Sequence, residues 1–291
     1  MKNNILKRTL AIAFSSLLLV SCSEWTKVES VGIDETMPWE VNPKEWADYQ
    51  ARVRDYKSRA HKLVYIRFAN SPQGVQNESG SLRSLPDSLD IVSLTNAGNF
   101  SEYDAEDMAR MRAVDIKVIC QTDLAGAEDA GASIDNAIAT VKENALDGFS
   151  FTATSKETAS EAVARLSGAK SEGQILVFEG NPVFIAPEDI TKLDLFVLAT
   201  ETVENPYDLR NMIDDALELG IPKERILLSA SRNGAFYNSE NVELPVLEAM
   251  ADNVVDFGPM AGLALYGIES DYYHYDGNWS SLRSVIHRLN P

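Results

Sequence analysis

Apolar and polar positions along this chain follow two periods. Runs that alternate, or are nearly unbroken in apolar residues, fall at Leu63–Phe68, Leu89–Leu94, Ile116–Gln121, Asp147–Thr152, Gln174–Glu179, Leu193–Ala199, Arg225–Ala230 and Gly262–Gly267. Each predicts a β-strand. Between most of them apolar residues return every three or four positions. That spacing predicts helices over Ser101–Ala113, Ser133–Asn144, Ser155–Ala169, Pro206–Leu219, Ser239–Ala251 and Ser280–Leu289. Another helix is predicted ahead of the first strand. Asn42-Pro43-Lys44-Glu45 supplies a cap, a proline at the first position and an acid three after the cap. Trp46, Tyr49, Val53 and Tyr56 then form a stripe read as a buried face. Strands alternating with helices predict a parallel sheet, and eight of them predict closure into a single (β/α)8 TIM barrel of the α/β class. The connection Ala186–Lys192 is short for a full helix and is the weakest link in that count.

The fourth predicted strand is the informative one. In Leu146-Asp147-Gly148-Phe149-Ser150-Phe151-Thr152-Ala153-Thr154, Phe149, Phe151 and Ala153 would share one face, and Ser150, Thr152 and Thr154 the other. The stretch resembles the signature of glycoside hydrolase family 18, the chitinases and endo-β-N-acetylglucosaminidases, which reads D-G-x-D-x-D-x-E at the end of strand four of a (β/α)8 barrel. Asp147 and Gly148 match. Ser150 and Thr152 stand where the family has aspartates, and Thr154 where it has the catalytic glutamate. In the family that glutamate protonates the leaving oxygen, and the substrate's own N-acetyl group, oriented by an aspartate, is the nucleophile. A hydroxyl does not exchange a proton near working pH, so the resemblance implies a barrel without its reaction. Leu85-Pro86-Asp87-Ser88-Leu89-Asp90-Ile91-Val92-Ser93-Leu94 also resembles the lead-in to strand two in Bacteroidetes members of the endoglycosidase branch.

The N-terminus reads as a targeting segment. Lys2, Lys7 and Arg8 precede the apolar run Leu10–Val20, and Leu19-Val20-Ser21-Cys22 resembles a bacterial lipobox. The run is too short for a comfortable membrane span. The expected organisation is a signal peptide over 1–21, a tether over 22–42 and the barrel over 43–291, with Cys22 carrying lipid. That places the protein at the outer membrane or cell surface. Bacteroidetes members of the family are often lipoproteins beside outer-membrane glycan importers, so the resemblance implies importer components as partners.

Composition narrows the ligand. A formal net charge of −18 argues against nucleic acid or another polyanion. Past Cys22 the one remaining cysteine is Cys120, within an apolar run, and it reads as a core residue. No H-E-x-x-H, C-x-x-C, phosphate-binding glycine loop or G-x-S-x-G elbow is present, so no metal and no cofactor is expected.

In such barrels ligands bind at the C-terminal strand ends. Those positions give Asn70, Asn96, Gln121, Asp123, Thr152, Thr154, Glu179, Asn181, Glu201, Arg232, Asn233, Tyr266 and Glu269. Amides, hydroxyls and single charges suit hydrogen bonding to sugar hydroxyls. Aromatic platforms are sought at Tyr207, Tyr237, Tyr273 and Trp279, the last two in the cluster Tyr272–Trp279 that also holds His274. Glu179 and Glu201 are the obvious carboxylate pair, with Arg67, Arg210 and Arg232 as candidate partners. The leading expectation is a non-catalytic glycan-binding surface lipoprotein, its ligand an N-acetylglucosamine-containing glycan such as an N-glycan. The alternatives are an active endo-β-N-acetylglucosaminidase with relocated acids at Glu179 and Glu201, and a structural lipoprotein with no glycan ligand.

Overall fold

A computed structural model describes residues 38–70 and 78–291. The lipobox-like stretch Leu19–Cys22 lies outside the described residues. Eight parallel strands close into a barrel: β1 (Leu63–Phe68), β2 (Ile91–Leu94), β3 (Lys117–Asp123), β4 (Gly148–Thr152), β5 (Ile175–Gly180), β6 (Leu195–Leu198), β7 (Ile226–Ser231) and β10 (Gly262–Tyr266), which pairs back onto β1. All eight predicted strands are present, and the compact unit carrying them spans residues 48–291. β8 (Phe236–Tyr237) and β9 (Glu243–Leu244) form a small antiparallel hairpin that the period did not reveal.

Two side-chain layers follow from the period of two. Tyr65, Ile91, Ile119, Val177, Val197, Leu227 and Ala264 fill the barrel's inner cluster. The alternate positions, including Phe149, Phe151 and Phe178, belong to the larger cluster shared with the surrounding helices. Phe149 and Phe151 therefore face outward, and Ser150 and Thr152 inward, as the alternation predicts.

The helices begin where their caps dictate. Ser101 closes a capping box with Asp104 at the start of helix Glu102–Ala113. Asp129, Ser155 and Asn205 cap helices Ala130–Glu143, Lys156–Ala169 and Pro206–Glu218. The fifth connection holds two 3-10 helices, Pro182–Phe184 and Pro187–Lys192, in place of an α-helix. The helix expected at Ser239–Ala251 lies at Val246–Asp256 instead, because the hairpin occupies residues 236–244. In the helix before β1, the stripe Tyr49, Val53 and Tyr56 is half-buried, and Tyr49 donates to Asp87 at 2.9 Å.

At the N-terminal end of the strands one device recurs three times. Asp90, Asp147 and Asp194 each precede a strand and accept the N–H of the strand before it: Val64 at 2.8 Å, Val118 at 2.9 Å and Leu176 at 2.7 Å. Among the described residues no helix is long and apolar enough to cross a membrane.

Candidate ligand-binding cleft

The register sets Asp123 beside Thr152 at the ends of β3 and β4, with Glu179 on β5 next to them, and Glu201 just past β6 completes the mouth of the barrel. A cleft of about 490 Å³ opens there, lined by Arg67, Thr95, Gln121, Asp123, Thr152, Thr154, Glu179, Asn181, Phe184, Glu201 and Tyr266, with Ala125, Ala153, Gly180 and Ala199 between them. That lies within the ~300–1,000 Å³ typical of small-ligand sites. A larger hollow, lined by His61, Lys62, Met260 and Asn290 among others, does not include these strand ends.

Glu179 sits at the floor, its side chain fully buried. Tyr65 Oη donates to its Oε1 at 2.7 Å, while Arg67 Nε and Tyr266 Oη donate to Oε2 at 2.7 and 2.9 Å. The Arg67 guanidinium lies 4.1 Å from the centre of the Tyr266 ring. Burial, then the Glu179 charge, pushes both the Tyr65 and Tyr266 phenols well above the usual range. For Arg67 burial acts to lower the pKa, but the Glu179 carboxylate more than offsets it and the guanidinium stays charged. Below, Ser93 and Ser150 share a buried 2.8 Å hydrogen bond, so the hydroxyl at 150 joins the barrel's internal polar network.

On the cleft wall, Thr152 Oγ1 donates to Asp123 Oδ1 at 2.5 Å, and the Ala125 and Gly126 amides donate to the same oxygen at 3.1 and 3.3 Å. Glu201 accepts from Ser229 Oγ through Oε2. Thr154 is exposed on the rim. Burial raises the Cys120 thiol to about 11, in keeping with a core role. Among the described residues no group of acids, histidines and cysteines is placed to hold a metal ion.

Of the residues anticipated as ligand contacts, Gln121, Asp123, Thr152, Thr154, Glu179, Asn181, Glu201 and Tyr266 line one cleft. The others do not line it. Trp279 is a correction: it is wholly buried, donates Nε1–H to the Ser84 carbonyl at 2.7 Å, and offers no face to a ligand. Asn70 is also buried, and its amide donates to Asp104 at 3.0 Å. Asn96 donates to the Asn70 carbonyl. Arg232 donates to Ser270 and approaches Asp271, tying down the loop after β10. Tyr237 lies in the hairpin, Asn233 is exposed beyond β7, and Tyr207 and Tyr273 are both more than two-thirds exposed away from the cleft lining. His274 stacks on Tyr275. Arg210 lies over Phe257 and takes no part in the cleft. Thr95 and Phe184 line the cleft without having been anticipated. A single aromatic in Asn181-Pro182-Val183-Phe184 gave no periodic signal.

A closed eight-stranded parallel barrel with a polar cleft over β3 to β6 can now be set beside known proteins. Residues 26–122 match the family model described as glycoside hydrolase family 18, BT1044-like. The fold is a family 18-like barrel. A glutamate-to-glutamine variant of BT1044 superposes with a TM-score of 0.71 at 16% identity, covering 87% of this chain and 95% of that chain. A chitinase from Bacteroides thetaiotaomicron gives 0.60 at 13% identity, covering 79% and 97%. YKL-39, solved in the presence of chitooligosaccharides, gives 0.60 at 9% identity, covering 79% and 100%. No curated protein matches the sequence. Laid on a family 18-like barrel, the motif positions divide. Asp147 and Gly148 belong to the N-terminal end of the strands, and Thr152 and Thr154 to the cleft.

Proposed function

We propose that this protein is a non-catalytic glycan-binding lipoprotein that holds N-acetylglucosamine-containing glycans, such as N-glycans, in the cleft above β3 to β6. One observation carries the reading. The positions facing the cleft on β4 are hydroxyls, and the one buried carboxylate nearby, Glu179, has both oxygens occupied by Tyr65, Arg67 and Tyr266. A general acid must point a proton at the leaving oxygen, and a carboxylate turned to three donors of its own barrel is not so placed. What remains is a preformed, hydrogen-bonding hollow suited to sugar hydroxyls and amides. Structural relatives solved with chitooligosaccharides or with (GlcNAc)3 support that ligand class.

Calorimetric titration with chitotriose and released N-glycans, run beside mass spectrometry of the same mixtures, tests this. Binding without product is the expected result. Released product would move the reading to hydrolysis, and neither binding nor product would leave a structural lipoprotein. The surface location rests on the lipobox-like stretch ending at Cys22, and a role beside an outer-membrane glycan importer on the resemblance to the family alone. Metabolic labelling with a fatty-acid analogue, lost in Cys22→Ala, is the expected sign of the anchor.

A further inference from the structure

The charges lining the cleft do not balance. Arg67 is the one cation among the lining residues, and its Nε is directed to Glu179. Asp123 and Glu201 remain, on opposite sides of β4 and β5, and they are held alike. Asp123, the last residue of β3, is pinned through Oδ1 by Thr152 of the next strand and by two backbone amides. Glu201, just past β6, is pinned through Oε2 by Ser229 of the next strand. Among the described residues neither Asp123 Oδ2 nor Glu201 Oε1 has a hydrogen-bond partner. Each acid is thus fixed by one oxygen and keeps the other open to the cleft that both line.

We infer that Asp123 and Glu201 are the specificity-determining acceptors of this cleft, receiving hydrogen-bond donors of a neutral sugar and excluding anionic ones. The inference rests on the glycan-binding reading above and names which sugars that site takes. An ionised carboxylate is an acceptor only, so the ligand must bring O–H or N–H groups to it. Two like charges without a cation to answer them repel a carboxylate-bearing sugar that sets its own charge beside them. Pinning one oxygen fixes the carboxylate plane before the ligand arrives, which lowers the ordering cost of binding.

The test uses chitotriose and trigalacturonate as neutral and anionic probes. Wild type should bind the first and not the second. Asp123→Asn and Glu201→Gln keep an acceptor for the pinning donors but lose the charge. Each should weaken chitotriose binding about tenfold, as for loss of one hydrogen bond to a charged group. The double variant should begin to bind trigalacturonate, which a merely structural role for these acids would not bring about. Thermal melts of each variant check folding. Should Asp123→Asn not fold, Thr152→Val, which removes the side-chain donor to Oδ1 while the two backbone amides and the charge remain, should still exclude trigalacturonate and weaken chitotriose binding less than Glu201→Gln does. Wild type that binds chitotriose, with variants within twofold of it or with only one of them affected, overturns the inference alone. Wild type that binds no glycan overturns the reading beneath it as well.

Discussion

Asp147 accepts the backbone N–H of Val118 at 2.9 Å, at the end of the barrel away from the cleft. The acid that opens the family-like motif therefore joins β4 to β3, as Asp90 and Asp194 join their own strand pairs. Asp147→Ala should cost about 1–3 kcal/mol by leaving that amide unpaired. Glycan affinity should be unchanged. Urea unfolding read beside calorimetric titration checks both parts, and a loss of affinity at unchanged stability would contradict the assignment.

Gly148 is held by a different constraint. A Cβ at this position would stand 2.0 Å from the Ile175 carbonyl oxygen, and the φ of +143° is one that L side chains rarely adopt. Gly148→Ala must separate β4 from β5, and it should destabilise by about 4 kcal/mol or more. Soluble yield and melting temperature decide it. A folded variant with wild-type stability would show that the close approach is not obligatory.

These two residues show what was readable beforehand. Strand number, order and the outward Phe149 and Phe151 were legible, because alternation is a local property that burial imposes on every strand. The hairpin was not, since Phe236–Tyr237 and Glu243–Leu244 are too short to carry a period. It displaced the predicted helix start to Val246, where Pro245 precedes the first turn. In the cleft, the positions ending β4, β5 and β6 followed from counting along strands. The pairing of Glu179 with Arg67 did not, because the partners lie 112 residues apart and meet only when the barrel closes. Trp279 misled for a related reason. A ring in an aromatic loop can face inward or outward, and composition does not distinguish the two.

The Arg67–Glu179 pair gives a prediction of its own. Glu179→Gln would leave a charged guanidinium facing a neutral amide and two phenols. The expected cost is about 3 kcal/mol, near the low end for a broken buried pair because the Arg67 side chain keeps 29% of its exposure. Denaturant midpoints measure it. Pairing Glu179→Gln with Arg67→Met should recover part of the loss, since the stranded charge is then gone.

Trp279 and Tyr273 should separate cleanly. Trp279→Ala removes a wholly buried indole and its bond to Ser84, at about 3–5 kcal/mol. Tyr273→Ala, at a residue 68% exposed, should stay within about 0.5 kcal/mol. Neither should alter chitotriose affinity beyond what unfolding accounts for, because neither lines the cleft. A selective loss of binding in Tyr273→Ala would instead extend the ligand site to the loop after β10.

His61 makes stability depend on pH at the opposite end of the barrel. Its Nε2 faces the Asp90 carboxylate at 2.8 Å and its Nδ1 the Arg59 carbonyl at 2.8 Å. Two acceptors on one ring call for two N–H donors, which only the imidazolium has. The hydrogen bond to Asp90, opposed by burial and aided by the Arg59 carbonyl, raises the His61 pKa above its ordinary 6.5. Because the folded value is the higher one, the stabilisation is full below about pH 6.5 and is lost as pH rises through the folded pKa. Lys57, whose amine burial lowers to about 8, contributes with the opposite sign as pH rises above that value. The difference in urea midpoint between wild type and His61→Gln isolates the histidine. That difference should shrink as pH rises from about 6 through the folded pKa, and the ring's NMR titration should report a pKa above 6.5. A difference that grows with pH would mean that the folded pKa is lowered instead and that the ring is neutral in the folded protein.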